Sequence, residues 1–180
     1  MIIEFLADGF EEIEALTPVD ILRRAGCEVK CVSINKTKTV TGAHGIVVTA
    51  DMTADEIDGL SPELVILPGG MPGAKNLDEN STVDTFISRA NENNAYIAAI
   101  CAAPMILGKR GLLRGKRATC YPGFEEYLEG AVVTGGRVET DGRIITSCGM
   151  GAALEFSLEL CRLIKGEDAA EKLSVGVIAK

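Results

Sequence analysis

The chain has 180 residues, of which 47% are hydrophobic and 20 are glycine, and its formal net charge at pH 7 is −8. These values are typical of one globular domain with a substantial core and exclude a disordered or fibrous protein. The acidic balance disfavours partners that are nucleic acids or anionic membranes, since both require clustered lysine and arginine. Met1–Ala7 is too short for a signal peptide, and no apolar run approaches the roughly 18 residues of a membrane helix. We therefore expect a single cytoplasmic domain over residues 1–180.

Short apolar runs alternate with helical patterns in the first part of the chain. A proline at position 18 predicts either a kink or a late start of the first helix. The predicted elements, in chain order, are a strand at Ile2–Ala7, a helix from about Glu12 to Ala25, a strand at Glu28–Ile34, a small hairpin of Val40–Thr41 and Ile46–Ala50, a strand at Leu64–Leu67, a helix capped by Ser81, and a strand at Tyr96–Ile100.

The same alternation continues to the end of the chain. The later predicted elements are a helix at Ala102–Arg110, strands at Arg117–Cys120, Val138–Thr140 and Arg143–Thr146, a long helix at Leu154–Lys165, and a short one beginning at Ala169–Leu173. Apolar strands separated by amphipathic helices predict an α/β fold, with a mostly parallel sheet that helices cover on both faces.

The loops that follow three of these strands are the candidates for a functional site. In open α/β sheets, ligands bind outside the carboxyl ends of the strands. That rule selects Asp8–Glu14, Pro68–Gly73 and Ile100–Pro104. Each of these loops carries residues suited to chemistry, so we expect them to form one site.

Cys101 is the candidate nucleophile because it ends an apolar strand and precedes small residues and Pro104, which suits a first helical turn. Free N–H groups at a helix start stabilise negative charge, so the sequence predicts a lowered pKa for this thiol. The alternative is an ordinary packed core cysteine. The other cysteines are expected to be small buried hydrophobes: Cys27, Cys31, Cys120, Cys148 and Cys161. Because the chain has no CxxC pair and a single histidine, we expect no metal site.

Two further loops supply groups that a thiol nucleophile needs. The backbone N–H groups of Gly69 and Gly70, with that of Ala102, can form an oxyanion hole, although an isolated Gly-Gly is also an ordinary turn. One carboxyl of the acidic segment that begins the first helix is expected to face the thiol. It should be protonated there, because two adjacent negative charges repel. His44 is expected at the surface or an interface rather than in a dyad with Cys101.

Taken together, these segments resemble the ThiJ/PfpI superfamily, in the branch typified by the Parkinson-disease protein deglycase. The resemblance runs over nearly the whole chain and rests on these stretches: Asp8–Glu14, Thr17–Asp20, Arg23–Gly26, Leu67–Gly70, Ala98–Pro104 and Thr146–Gly151. It implies a flavodoxin-like three-layer sandwich, a nucleophile at Cys101 and a protonated partner at Glu14, with Gly70 and Ala102 donating to the substrate oxygen. It also implies a homodimer, with Ile13, Asp20, Arg24 and His44 at the interface.

The chain departs from the pattern of this branch at several pocket positions. Tyr121 stands where the branch often has histidine, and a tyrosine stays protonated near neutral pH. Ala102 replaces the histidine of the protease-like branch, which argues against peptidase activity. Cys148 and Met150, which flank the pocket residue Gly149, alter the usual Arg/Pro pattern.

Three functions are compatible with the sequence. The first is an enzyme of glyoxalase or deglycase type that converts small 2-oxoaldehydes or acts on glycated substrates, with no cofactor and no glutathione. The second is a redox sensor or protective, chaperone-like protein, in which Cys101 is oxidised to a sulfinate that Glu14 stabilises. The third is an interaction dimer with a vestigial site.

Overall fold

The computed structural model describes residues 1–179 and places a seven-stranded sheet at the centre of the molecule. The strand order is β10-β11-β7-β6-β1-β2-β5, and all neighbours are parallel except β10 and β11. The strands of this sheet are β1 (Ile2–Leu6), β2 (Val29–Ser33), β5 (Met52–Thr53), β6 (Leu64–Leu67), β7 (Tyr96–Ile100), β10 (Val138–Asp141) and β11 (Ile144–Ser147). Two small ribbons pair β3 (Thr39–Thr41) with β4 (Val47–Thr49) and β8 (Arg117–Ala118) with β9 (Val132–Val133).

Helices cover both faces of the sheet. They are α1 (Glu12–Arg24), α2 (Gly73–Asp78), α3 (Ser81–Glu92), α4 (Pro104–Lys109), α5 (Ala153–Lys165) and α6 (Glu167–Gly176). One apolar core lies between the sheet and α2, α3 and α4, and the other lies between the sheet and α1, α5 and α6. This arrangement confirms the predicted three-layer sandwich. No helix in residues 1–179 has the length and apolar character needed to cross a bilayer.

Several element boundaries differ from the sequence prediction. Helix α3 is capped by Asn80 rather than Ser81, because the Asn80 side chain accepts hydrogen bonds from the backbone N–H groups of Thr82 and Val83. Helix α1 runs through Pro18 without interruption. The predicted strand Arg117–Cys120 is limited to two residues that pair with β9, outside the main sheet.

The topology brings three loops to one edge of the sheet. Strand β1 is the switch point, because β2 and β6 flank it on opposite sides. The loops after β1, β6 and β7 therefore meet above the carboxyl ends of adjacent strands, where α/β proteins bind ligands.

Candidate active site

Cys101 occupies the elbow between β7 and α4. Its backbone has φ +65°, a left-handed conformation that is uncommon for a residue with a side chain. Two hydrogen bonds hold it: the Cys101 N–H donates to the Ser147 carbonyl oxygen, and the Cys101 carbonyl oxygen accepts from the Tyr121 N–H, both at 2.8 Å. The half-buried thiol is thereby fixed at the edge of the sheet.

Glu14 lies in the first turn of α1, where its carboxyl reaches the same point. Its N–H donates to the carboxylate of Glu11, the N-cap residue, at 2.7 Å. The side chain is fully buried, and Oε2 accepts the Gly69 N–H at 3.1 Å. Oε1 is buried without a well-formed hydrogen bond, although the Met150 N–H is near enough to lower the pKa of this carboxyl. The Cys101 thiol is its hydrogen-bonding neighbour on the pocket side.

The two groups shift the pKa values of one another. Burial raises the pKa of Glu14 to about 7, and the negative charge of Glu11 acts in the same direction. Burial also raises the pKa of the Cys101 thiol to about 12, with a further increase from Glu14. The N–H groups of Gly70 and Ala102 lower the pKa of the thiol, but their effect is smaller. A pKa of about 7 leaves roughly half of this carboxyl protonated at pH 7, so the shift has the direction that the sequence predicts.

The predicted low pKa of Cys101 is wrong for this structure. Helix α4 has six residues and begins three positions after the thiol, so it offers only a weak dipole. Desolvation and the neighbouring carboxyl outweigh the two N–H donors. Since the two groups titrate as a pair, a thiolate forms at neutral pH when the thiol proton passes to Glu14.

The glycines after β6 are required by the close packing of this pair. A Cβ on Gly69 would lie 2.6 Å from Cys101 Cβ and would collide with Glu14 Oε2. Gly70 has φ +84°, and a Cβ there would lie 2.6 Å from the Gly9 carbonyl oxygen. The loop can therefore present the N–H of Gly70 to the thiol only because both positions lack side chains.

Tyr121 and Gly149 form another wall of the site, next to the Glu14 carboxyl. A Cβ on Gly149 would lie 3.3 Å from Tyr121 Cδ2 and 3.7 Å from Glu14 Oε1, so the tyrosine ring packs over this glycine beside the carboxyl. Tyr121 is 46% exposed. In the neighbouring late loop, the Cys148 N–H donates to the Arg137 carbonyl oxygen at 3.1 Å.

His44 does not contact Cys101. Its Nδ1 lies 2.8 Å from Glu12 Oε2, and its N–H donates to Glu12 Oε1 at 2.7 Å. These contacts raise the pKa of His44 and, against the effect of burial, leave the pKa of Glu12 lowered. Donor atoms of Glu11, Glu12 and His44 lie within 4.8 Å of one another, as ligands of a metal ion would. Glu11 also caps α1, and Glu12 hydrogen-bonds to His44, so each of the three residues has a partner within the chain.

The remaining residues predicted for an interface are exposed. Ile13 is 50% exposed and lies between Glu12 and Glu14 in the sequence. Asp20 and Arg24 form an exposed ion pair at 2.7 Å, one turn apart on α1. The structure therefore places all four predicted interface residues on α1 or on the turn between β3 and β4.

A family model described as "DJ-1/PfpI family" matches residues 2–163. The chain belongs to the DJ-1/PfpI family. Protein DJ-1 homolog B of Arabidopsis thaliana is 38% identical over 171 residues, which cover 94% of this chain but 39% of that protein. The chain thus spans about two fifths of the length of this relative. A deglycase of Pyrococcus abyssi is 32% identical, with coverage of 88% of this chain and 96% of that one.

Solved structures of the DJ-1/PfpI family agree with the fold. Oxidised Toxoplasma gondii DJ-1 matches with a TM-score of 0.95 and 32% identity, covering 98% of this chain and 97% of that one. The family resemblance that the sequence motifs indicate is thus confirmed.

Two residues with evident roles in the site were missed by the sequence analysis. Glu11 caps α1 and raises the pKa of Glu14, and its position three residues before Glu14 is the spacing of a helix cap. Ser147 fixes the Cys101 backbone, and only the pairing of β11 with β7 reveals this.

Proposed function

We propose that this protein is a cysteine enzyme that converts small 2-oxoaldehydes to 2-hydroxy acids without cofactor or glutathione, and that it acts on early glycation adducts by the same chemistry. The observation that carries the proposal is the buried Glu14 carboxyl, with a pKa of about 7, beside the Cys101 thiol. A carboxyl with this pKa can both accept and return a proton at neutral pH. The deglycase name of the archaeal relative supports the same chemistry.

The reaction uses one thiol, one carboxylate and one water. Glu14 accepts the thiol proton while sulfur adds to the aldehyde carbon, and the alkoxide that forms accepts hydrogen bonds from the N–H groups of Gly70 and Ala102. Glu14 then returns its proton to this oxygen, which gives a neutral hemithioacetal and restores the Glu14 carboxylate. The Glu14 carboxylate next removes the proton from the former aldehyde carbon and delivers it to the adjacent carbon through an enediol, while the hydroxyl proton passes from the first oxygen to the second. The first carbon is thereby oxidised and the second reduced. The product is a 2-hydroxy thioester. Water hydrolyses it to the hydroxy acid and restores the thiol.

The test is formation of lactate from methylglyoxal, and of glycolate from glyoxal, by purified protein without glutathione or added metal. Cys101→Ala should abolish turnover. Glu14→Gln should lower kcat by about 10²- to 10⁴-fold, the usual contribution of a positioned acid–base group. Cys27→Ala, which changes another half-buried cysteine, is the matched control and should retain activity. Full turnover by Cys101→Ala would refute the proposal.

A second candidate function is cysteine-based redox sensing or chaperone-like protection. It is favoured by the donors around Cys101, because Glu14 and the N–H groups of Gly70 and Ala102 suit the oxygens of a sulfinate. Two equivalents of hydrogen peroxide would oxidise the thiol to sulfinate and release water. Mass spectrometry during a peroxide titration should then show Cys101 gaining two oxygens before Cys120 or Cys148. Earlier oxidation of either of those thiols would contradict this role.

We also propose a homodimer that works in a reducing compartment such as the cytoplasm. The exposed apolar and charged residues of α1 and the β3–β4 turn support the dimer, with Ile13, Asp20, Arg24 and His44 as candidate interface residues. All six cysteines are free thiols, which supports the compartment.

A further inference from the structure

Three large, exposed apolar residues adjoin the loops that form the Cys101–Glu14 pair. Met71, Tyr121 and Met150 are 49%, 46% and 46% exposed, although large hydrophobic residues are usually buried. We call these three residues the apolar rim. An exposed cluster of this kind next to a chemical site is a normal place for substrate binding.

Each residue of the rim is tied to a backbone group of the site. Met71 directly follows Gly70, whose N–H acts on the thiol. The Tyr121 N–H donates to the Cys101 carbonyl oxygen at 2.8 Å. The Met150 N–H lies near the Glu14 carboxyl. The three residues are therefore fixed next to the pair by their backbones, and the Tyr121 ring lies beside Gly149.

Within residues 1–179, the charged groups that shift the pKa values of the pair are carboxylates. Glu11 and Glu14 are the charged groups with the strongest effect on the two titrating groups. Arg137, in the strand region beside Cys148, is engaged by Glu155 at 2.8 and 2.9 Å and by the carbonyl oxygen of Gly151. An anionic substituent on the substrate would therefore meet carboxylates and apolar groups, with no free guanidinium supplied by Arg137.

We infer that the site selects 2-oxoaldehydes with an uncharged apolar or aromatic substituent, and that Tyr121 is the residue that determines this specificity. The inference rests on the proposed function and adds the substrate class to it. Tyr121 is the residue of the rim whose ring lies against the wall at Gly149, beside Glu14 Oε1. A substituent on the carbonyl carbon would pack on that ring. One well-packed apolar group changes kcat/KM by about 10- to 200-fold.

The experiment compares kcat/KM for glyoxal, methylglyoxal and phenylglyoxal. In the unaltered protein, phenylglyoxal should exceed glyoxal by about tenfold or more. Tyr121→Ala should remove most of this preference, mainly through a higher KM for phenylglyoxal. Tyr121→Phe should keep the preference, since it retains the ring. Tyr127→Ala is the control, because Tyr127 is also exposed but packs against Phe124. Equal values for the three aldehydes, or a preference unaffected by Tyr121→Ala, would overturn the inference.

A second measurement separates this inference from the proposed function. The rates at which Cys101 is alkylated by iodoacetamide, N-phenyliodoacetamide and iodoacetate are measured by mass spectrometry, each relative to glutathione. If the apolar rim determines the selectivity, N-phenyliodoacetamide should alkylate Cys101 fastest and iodoacetate slowest. Tyr121→Ala should reduce the differences among the three rates. If this order of rates is found but no aldehyde is turned over, the proposed enzymatic function is refuted and the inferred apolar selectivity of the site is retained. Reagent-independent rates would refute the inference itself.

Discussion

The proton shared by Glu14 and Cys101 determines when the thiol reacts. The pKa of the carboxyl is raised to about 7 and that of the thiol to about 12, so the pair loses its first proton near pH 7. Once one proton is left, these values place it mainly on the thiol, and a small fraction of molecules carries it on Glu14 and has a free thiolate. The rate of Cys101 alkylation by iodoacetamide should therefore rise through about pH 7 and then level off.

Glu14→Gln should change this pH profile in a defined direction. Glutamine cannot accept the thiol proton, so the midpoint should move to or above the value of about 8.5 of an ordinary thiol. Mass-spectrometric labelling between pH 5 and 10 measures both profiles. A midpoint well below pH 6 in the unaltered protein would indicate a resting thiolate and contradict the proton-sharing pair.

The residue scale also shows what the sequence could predict about the site. The rule that ligands bind at the carboxyl ends of strands was sufficient to select the loops of Glu14, Gly69 and Cys101. The direction of the pKa shift at Cys101 was not predictable, because it depends on how deeply the thiol and the carboxyl are buried together. That depth results from packing against Gly69 and Gly149, which no local pattern encodes.

Among the elements, β1 has an acidic residue, Glu4, at its centre. Glu4 is fully buried, and both of its carboxyl oxygens lack hydrogen-bond partners. It pairs in register with Cys31 on β2 and faces the core beneath α1. Burial raises the pKa of Glu4 well above its usual range, and Arg23 only partly offsets this. Burial therefore favours the protonated form of this carboxyl in the folded protein.

This carboxyl should destabilise the fold as the pH rises. Because its pKa is higher in the folded than in the unfolded state, the folded protein holds a proton that the unfolded chain releases above about pH 4.3. The free energy of unfolding then decreases with increasing pH up to the folded pKa. Glu4→Val, which replaces an unpartnered polar group with a strand-forming apolar one, should stabilise the protein by about 1–3 kcal/mol at pH 8 and by less at pH 5.

Urea unfolding of the two proteins at both pH values measures this effect. Glu92→Gln is the control, because Glu92 is exposed at the end of α3. Equal stability of Glu4→Val and the unaltered protein at pH 8 would show that the Glu4 carboxyl finds a partner in solution.

The elements differ in how far the sequence determines them. The central strands β1, β6 and β7 were predicted within a residue or two, since a short apolar run can be satisfied only inside a sheet. Helix α2 and strands β5 and β9 were missed, because elements of two to six residues depend on the chain around them. Helix α4 is shorter than predicted, because the left-handed backbone of Cys101 delays its start to Pro104.

On the scale of the whole molecule, the exposed apolar residues are unevenly distributed. Several lie where α1 begins and where the turn between β3 and β4 packs on it: Ile13, Leu16, Ile46 and Val47. The two segments are joined, since the N–H of Ala43 donates to the Phe10 carbonyl oxygen at 2.7 Å and that of His44 to Glu12. This surface is continuous with the helix turn that carries Glu14, so a second copy bound there would also support the site.

The dimer can be tested with one charge at the centre of that surface. The unaltered protein should sediment at twice the 19.0 kDa mass of one chain. Ile13→Glu should convert it to a folded monomer, because it places an unpaired charge among apolar groups, a change that costs several kcal/mol when buried. Val132→Glu, at a similarly exposed position on β9, should leave the dimer intact.

If Ile13→Glu stays dimeric, the interface lies elsewhere. If it becomes a monomer and loses aldehyde turnover while its Glu14–Cys101 pH profile is unchanged, then the second copy completes the substrate site without altering the catalytic pair.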